Sequence, residues 1–213
     1  DIVVLTGPAP DRIRATAEAV KLGHRPTVLA SEEILAWLRG VGAVDEPTGE
    51  VDGVTFESLP YTPASTARPM PQRVMAHMGA LKPVATFRHL RERATLPTSS
   101  PCAWQLTFPD GSRLVHLDLA LHRGQEATWK EQAAARFGGA DWLVIGSAYG
   151  ESEGVANSLG AFGARHVLLS DLVNGERRAM GLPTELVTPL RDRLVASGVE
   201  AHVFATQTSF RFE

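Results

Sequence analysis

At 213 residues, with 44% hydrophobic and 21% charged side chains, the chain is long enough to bury a core and has an ordinary globular composition. A net charge of -3 gives no electrostatic reason to bind nucleic acid or an anionic membrane. The single cysteine, Cys102, excludes an internal disulfide framework and a Cys-x-x-Cys motif. No apolar run approaches the roughly 20 residues of a membrane helix and no signal peptide is visible, so a cytoplasmic protein is expected.

Short β-branched runs alternate with helical stretches, the pattern of α/β layering. Ile2–Leu5 reads as a strand from the outset, so an N-terminal portion is expected to precede Asp1. The turn Gly7-Pro8-Ala9-Pro10 leads into a helix from about Asp11 to Leu22, with Gly23 placed to stop it. Strand Pro26–Ala30 follows, then Ser31 as the expected N-cap of a helix carrying Ile34, Leu35 and Leu38 and ending near Gly40. Glu32 and Glu33 in its first turn suit the helix dipole.

Residues 41–60 are polar and Gly-rich up to a strand at Val54–Leu59. The proline-rich stretch 61–102 reads as an irregular insertion or lid, with one or two helices between Gln72 and Arg93 broken around Pro83. Lys82, Arg88, His89, Arg91 and Arg93 form a local basic cluster, read as a solvated helix face. Cys102, at the edge of an apolar run, reads as a buried or bystander cysteine, a small hydrophobe and not a nucleophile.

Asp110-Gly111 marks the turn of a hairpin between Trp104–Phe108 and Arg113–Leu119. Its second strand alternates, with Val115, Leu117 and Leu119 on one face and Leu114, His116 and Asp118 on the other. Helix Glu126–Phe137, strand Trp142–Ile145, helix Ser152–Phe162, strand His166–Leu169, helix Thr188–Ala196 and strand His202–Ala205 complete the pattern. Ser209–Phe212 is a candidate edge segment, through which self-association stays open.

Functional groups in layered α/β proteins gather where strands end. Thr6-Gly7-Pro8-Ala9-Pro10 is no phosphate cradle, since two prolines remove backbone donors and no Gly-Lys-Ser/Thr is present. In Gly146-Ser147-Ala148-Tyr149-Gly150, Ser147 directly follows its glycine, so the nucleophile-elbow spacing is absent.

What remains is a strand, Thr6, a short loop and Asp11 opening a helix. This resembles the metallo-β-lactamase superfamily motif Thr-His-x-His-x-Asp-His, and the later segments follow in a compatible order, closest to the lactonase-like branch of metal-dependent hydrolases. The resemblance spans nearly all of the chain. It implies one domain over 1–213 with a four-layer αββα sandwich, whose first strands would precede Asp1. It also implies a strand-end site where zinc, manganese or iron activates water. Carried over residue by residue, the motif's two paired histidines fall on Gly7 and Ala9, its aspartate on Asp11 and its last histidine on Arg12. Asp118 is the nearest match to the bridging aspartate, and Asp171 falls where the last histidine is expected.

Glycine and alanine cannot ligate, and Arg12 places a permanent cation where a metal would sit. The expectation is therefore a protein of this fold without the standard dinuclear centre and with no cofactor. Arg12 would fill the pocket by pairing with Asp118 or Asp171, and the partner would be a small molecule or a protein. Two alternatives stay open: a hydrolase with a single metal on Asp11, Asp118, His122 and Asp171, or a metal-free acid–base pair of Asp118 and His116. Asp11 is also a suitable helix N-terminal residue, Asp171 could cap a turn, and His116 and His122 could be structural.

Overall fold

The computed structural model describes residues 2–7, 10–45, 49–62, 82–121, 127–146, 152–171, 177–178, 180–182, 184 and 186–204. A parallel pair of strands, β1 (Ile2–Val4) and β2 (Thr27–Leu29), is joined through α1 (Pro10–Lys21). Gly23 adopts a left-handed φ of 90° just past α1, the stop expected of it. After β2 comes α2 (Glu32–Val41). Ser31 stands at its N-cap position, yet its hydroxyl makes no capping hydrogen bond. The first-turn carboxylates Glu32 and Glu33 are left to suit the dipole there.

The second sheet has seven strands in sequence order. They are β3 (Glu50–Val51), β4 (Val54–Pro60), β5 (Cys102–Thr107), β6 (Arg113–Asp118), β7 (Trp142–Gly146), β8 (His166–Ser170) and β9 (Glu200–Phe204). Strands β3 to β6 are antiparallel neighbours; β6 to β9 run parallel. The change of direction follows from the connections: short turns join β3 to β4 and β5 to β6, residues 61–101 link β4 to β5, and helical crossovers join the last four. Those crossovers are α4 (Ala127–Phe137), α5 (Ser152–Leu159, continued by a 3₁₀ turn at Gly160–Phe162) and α6 (Thr188–Ala196). Between β4 and β5 lies α3 (Pro83–Ala94).

One sequence expectation changes here. Strand β3 lies inside the stretch read only as polar and Gly-rich; it pairs with β4 through Asp52-Gly53, both at positive φ, the two-residue turn that suits strand twist. At Pro83, where the sequence places a break, a helix starts, because at the first helical position the missing N–H of proline has no bond to lose. The expected helix from Gln72 falls among residues 71–81, outside those described. The proline-rich stretch leaves and re-enters at one place, since the Tyr61 N–H donates to the Pro101 carbonyl at 2.9 Å.

Period-two alternation sorts the strand side chains into two apolar interiors. Val115, Leu117, Leu143, Ile145, Val167 and Leu169 pack with Trp129, Phe137, Phe162 and Leu190 from the crossover helices. On the opposite face Trp104, Leu106, Leu114, Trp142 and Val144 pack against Ile2, Val4 and Leu29 of the small sheet. The small sheet's other side meets Ile13 and Ala17 of α1 and Ile34, Leu35 and Leu38 of α2. The chain is thus an α/β protein with a mixed sheet. Among the described residues no helix is long and apolar enough to cross a membrane.

Candidate functional site

One edge of this arrangement collects several strand ends. Strand β4 runs parallel to β6 because both are antiparallel to β5, so Tyr61 emerges beside the end of β6. Thr6, just past β1, is tied to the same edge, its carbonyl accepting from the Cys102 N–H at 2.9 Å. Gly146 and Ser170 end β7 and β8 alongside.

Asp118 sits at the centre of this edge and is only 6% exposed. Its carboxylate oxygen Oδ2 accepts hydrogen bonds from the Thr6 hydroxyl at 3.1 Å and the Tyr61 hydroxyl at 3.3 Å. Both donors are themselves buried, at 4% exposure each. Burial of a carboxylate demands such partners, because the desolvation it suffers is recovered only through hydrogen bonds or counter-charge.

Local geometry explains how the carboxylate reaches this place. The ladder between β6 and β7 shifts register between His116 and Asp118, and Asp118 adopts a left-handed φ of 49°. Aspartate is among the few non-glycine residues that visit this region. The expected alternation therefore holds for Val115 and Leu117 and breaks at Asp118. Gly146 makes room across the ladder: a Cβ there would stand 3.2 Å from Asp118 Oδ1 and 2.8 Å from the Leu119 side chain. Tyr61 is braced from the helical side, with its ring 5.6 Å from that of Trp129. The Trp129 indole N–H in turn donates to the Pro60 carbonyl at 2.9 Å.

Asp171, directly after β8, lies two strands from Asp118, roughly 10 Å at ordinary strand spacing. Its carboxylate accepts from the Arg178 guanidinium at 2.7 Å, and its N–H donates to the Phe204 carbonyl at 3.3 Å. The cation seen on Asp171 is thus Arg178, a residue that the sequence reading does not single out. His116 lies two residues before Asp118, with Trp104 and Val144 as its cross-strand neighbours. Asp11 and Arg12 fall in the first turn of α1, but their side chains lie outside the described residues, as does His122.

Gly7 offers no side chain, Asp118 Oδ2 is engaged by two hydroxyls and Asp171 is engaged by a guanidinium. Among the described residues no group of three or more His, Cys, Asp and Glu is arranged to hold a metal ion. Cys102 is half-buried, and burial, reinforced by the charge of Glu33, pushes its thiol pKa up, which suits an inert thiol.

Tyr61 is the participant that sequence reasoning missed. It stands in Pro60-Tyr61-Thr62-Pro63, and its signal was a polar-tipped aromatic at the end of an apolar strand. Compared with protein-family models, with curated proteins and with solved structures, the chain matches none.

Proposed function

We propose that this chain is a metallo-β-lactamase-fold protein that has lost the standard dinuclear centre and serves as a non-catalytic binding or scaffold protein. The succession of helices, small sheet, large sheet and helices supports a four-layer αββα reading. The position of Thr6 and α1 after β1 supports the motif alignment. The observation that carries the functional reading is the Asp118 carboxylate, turned toward the Thr6 and Tyr61 hydroxyls at the strand end where a bridging ligand would be needed. With its oxygen engaged in this way, the residue works as an internal tie between sheets.

The test is elemental analysis of untagged protein grown with added zinc, manganese and iron. Metal well below one equivalent is expected. Near-stoichiometric metal would overturn the reading and turn attention to Asp11, Asp118, His122 and Asp171.

A second reading, an active hydrolase with a single-metal or metal-free site, draws support from the backbone at Asp118. Non-glycine residues at positive φ cluster at functional sites. Turnover of an ester, lactone or phosphodiester by the wild type, lost in Asp118→Asn, would favour it over the scaffold reading.

A further inference from the structure

Helix α3 (Pro83–Ala94) reverses the usual amphipathic arrangement of a surface helix. Its half-buried positions Ala85 and Glu92, two turns apart, mark the side that meets the body, and Leu96 just beyond packs on the small-sheet core. The opposite side carries Val84, Phe87 and Leu90, exposed by 84%, 69% and 39%, with Pro83 and Ala94 exposed in the same stripe. The other exposed large apolar residues described, Leu22, Leu186, Val195 and Val203, fall singly on other segments. The helix is fixed in this orientation at both ends. The Lys82 N–H donates to the Met180 carbonyl at 3.0 Å, and Glu92 accepts from Arg14 on α1.

Cations flank the apolar stripe. From Lys82 to Arg93 four of them, with Arg88 and Arg91, stand against one carboxylate, Glu92, in a chain whose net charge is -3. Helical geometry puts Arg88 and Arg91 along one side of the stripe and Arg93 along the other. Arg88 shares Glu92 with Arg14, while Arg91 and Arg93 form no ion pair among the described residues. A cavity of about 410 Å³ is lined by Arg88, Arg91, Glu92 and Thr95 on the same flank. These charges argue against a second copy of this chain as the occupant, because pairing α3 with itself opposes arginine to arginine. An acidic protein would have to bring its own groove for a convex apolar ridge. A bilayer of anionic phospholipid supplies both layers at once: acyl chains for the ridge, and phosphates for guanidinium groups on long stems beside it.

We propose that α3 is a membrane-docking helix that lies flat on an anionic phospholipid surface. Val84, Phe87 and Leu90 enter the acyl boundary, Arg88 and Arg91 hold lipid phosphates, and Arg93 does so on the opposite flank. Guanidinium groups suit this role because their paired N–H donors match phosphate oxygens. Each basic residue near such a surface strengthens binding roughly fivefold, and a short apolar ridge adds a modest share, so the attachment is reversible. The basic run that reads as a solvated helix face in the sequence thus borders a ridge that the fold leaves uncovered. Docking uses nothing of the Asp118 edge, so this inference stands apart from the functional reading above.

The experiment sediments the full chain with lipid vesicles. Phosphatidylcholine vesicles carrying about 30% phosphatidylserine are expected to bind it at about 1 mM lipid and about 0.1 M salt, at least about tenfold more tightly than phosphatidylcholine alone. Raising the salt to about 0.5 M should release it. Arg91→Gln combined with Arg93→Gln should weaken binding to the mixed vesicles roughly twentyfold, and Phe87→Ser about fivefold. Val195→Ser, at an exposed apolar residue on α6, should change it less than about twofold. No sedimentation of the wild type with mixed vesicles, or equal binding to both vesicle types, would overturn the proposal. So would binding that neither set of α3 variants weakens. A melting temperature lowered by more than about 5 °C in Phe87→Ser would also overturn it, by showing the ring packed within the protein. Binding to soluble poly-L-glutamate as tight as to the mixed vesicles, with Phe87→Ser leaving both unchanged, would assign the surface to an acidic protein and sink the membrane reading.

Discussion

Replacing Thr6 by valine removes one hydroxyl and keeps the shape of a residue that is 4% exposed. No cavity forms, so the change isolates the 3.1 Å hydrogen bond to Asp118 Oδ2. Hydrogen bonds to charged groups contribute about 1.5–3 kcal/mol, and burying a methyl in place of a hydroxyl returns part of that. A net loss of about 2 kcal/mol is expected. In a chain of this size about 1 kcal/mol moves the melting temperature by roughly 2–4 °C, so Thr6→Val should lower it by about 4–8 °C. Urea denaturation followed by circular dichroism gives the free energy, with the slope unchanged if the denatured state is unaffected.

Tyr61→Phe, at the longer 3.3 Å contact, should cost less, about 1 kcal/mol. Because both hydroxyls donate to the same oxygen, the double variant should exceed the sum of the singles by at least about 0.5 kcal/mol. If Thr6→Val stays within about 0.5 kcal/mol of wild type, the idea of Asp118 as a tie between the two sheets is wrong.

Other consequences follow from neighbouring geometry and can be checked in the same way. Gly146→Ala places a methyl 3.2 Å from Asp118 Oδ1 and 2.8 Å from Leu119, so a loss of about 1–3 kcal/mol is expected in urea denaturation. Wild-type stability would show that the β6–β7 edge is loosely packed. Arg178→Ala breaks a pair whose arginine side chain is 55% exposed, and it should cost no more than about 1 kcal/mol. A much larger effect would mean that Arg178 supports more than Asp171.

For Cys102 the folded pKa is raised, by burial first and then by the charge of Glu33. The corresponding stability is present below the unfolded thiol's pKa and is lost as pH rises through the higher folded value. Alkylation by iodoacetamide should accordingly be slower than in the urea-unfolded chain near pH 8 and should approach it at higher pH. Equal rates near pH 8 would contradict the burial.

Much of the layering is legible without coordinates, because it rests on local rules. Helix α6 runs over Thr188–Ala196 as read, since Thr188-Pro189 starts a helix by backbone chemistry alone. The hairpin at Asp110-Gly111 forms because Gly111 takes a φ of 85° and Asp110 accepts from Ser112. The Ser112 hydroxyl, with its N–H second, also holds the Asp110 carboxyl below its usual pKa. Strand β3 followed the same rule through Asp52-Gly53, but two residues are too few to show a period.

Where the local rule left a choice, packing made it. Ser31 sits at its cap position with its hydroxyl unused, which the sequence pattern of a serine before two glutamates does not reveal.

The candidate site divides along the same line. Sequence by itself determined that Gly7 and Ala9 carry no ligand side chain and that Asp118 ends an apolar strand, since residue identity and period-two patterning are properties of the chain. Only tertiary structure decided what Asp118 does, because its donors come from 112 and 57 residues away, across two sheets. It likewise gave Asp171 the Arg178 guanidinium, seven residues on. The register shift and left-handed φ at Asp118 belong to the β6–β7 ladder, which exists only when segments distant in sequence meet.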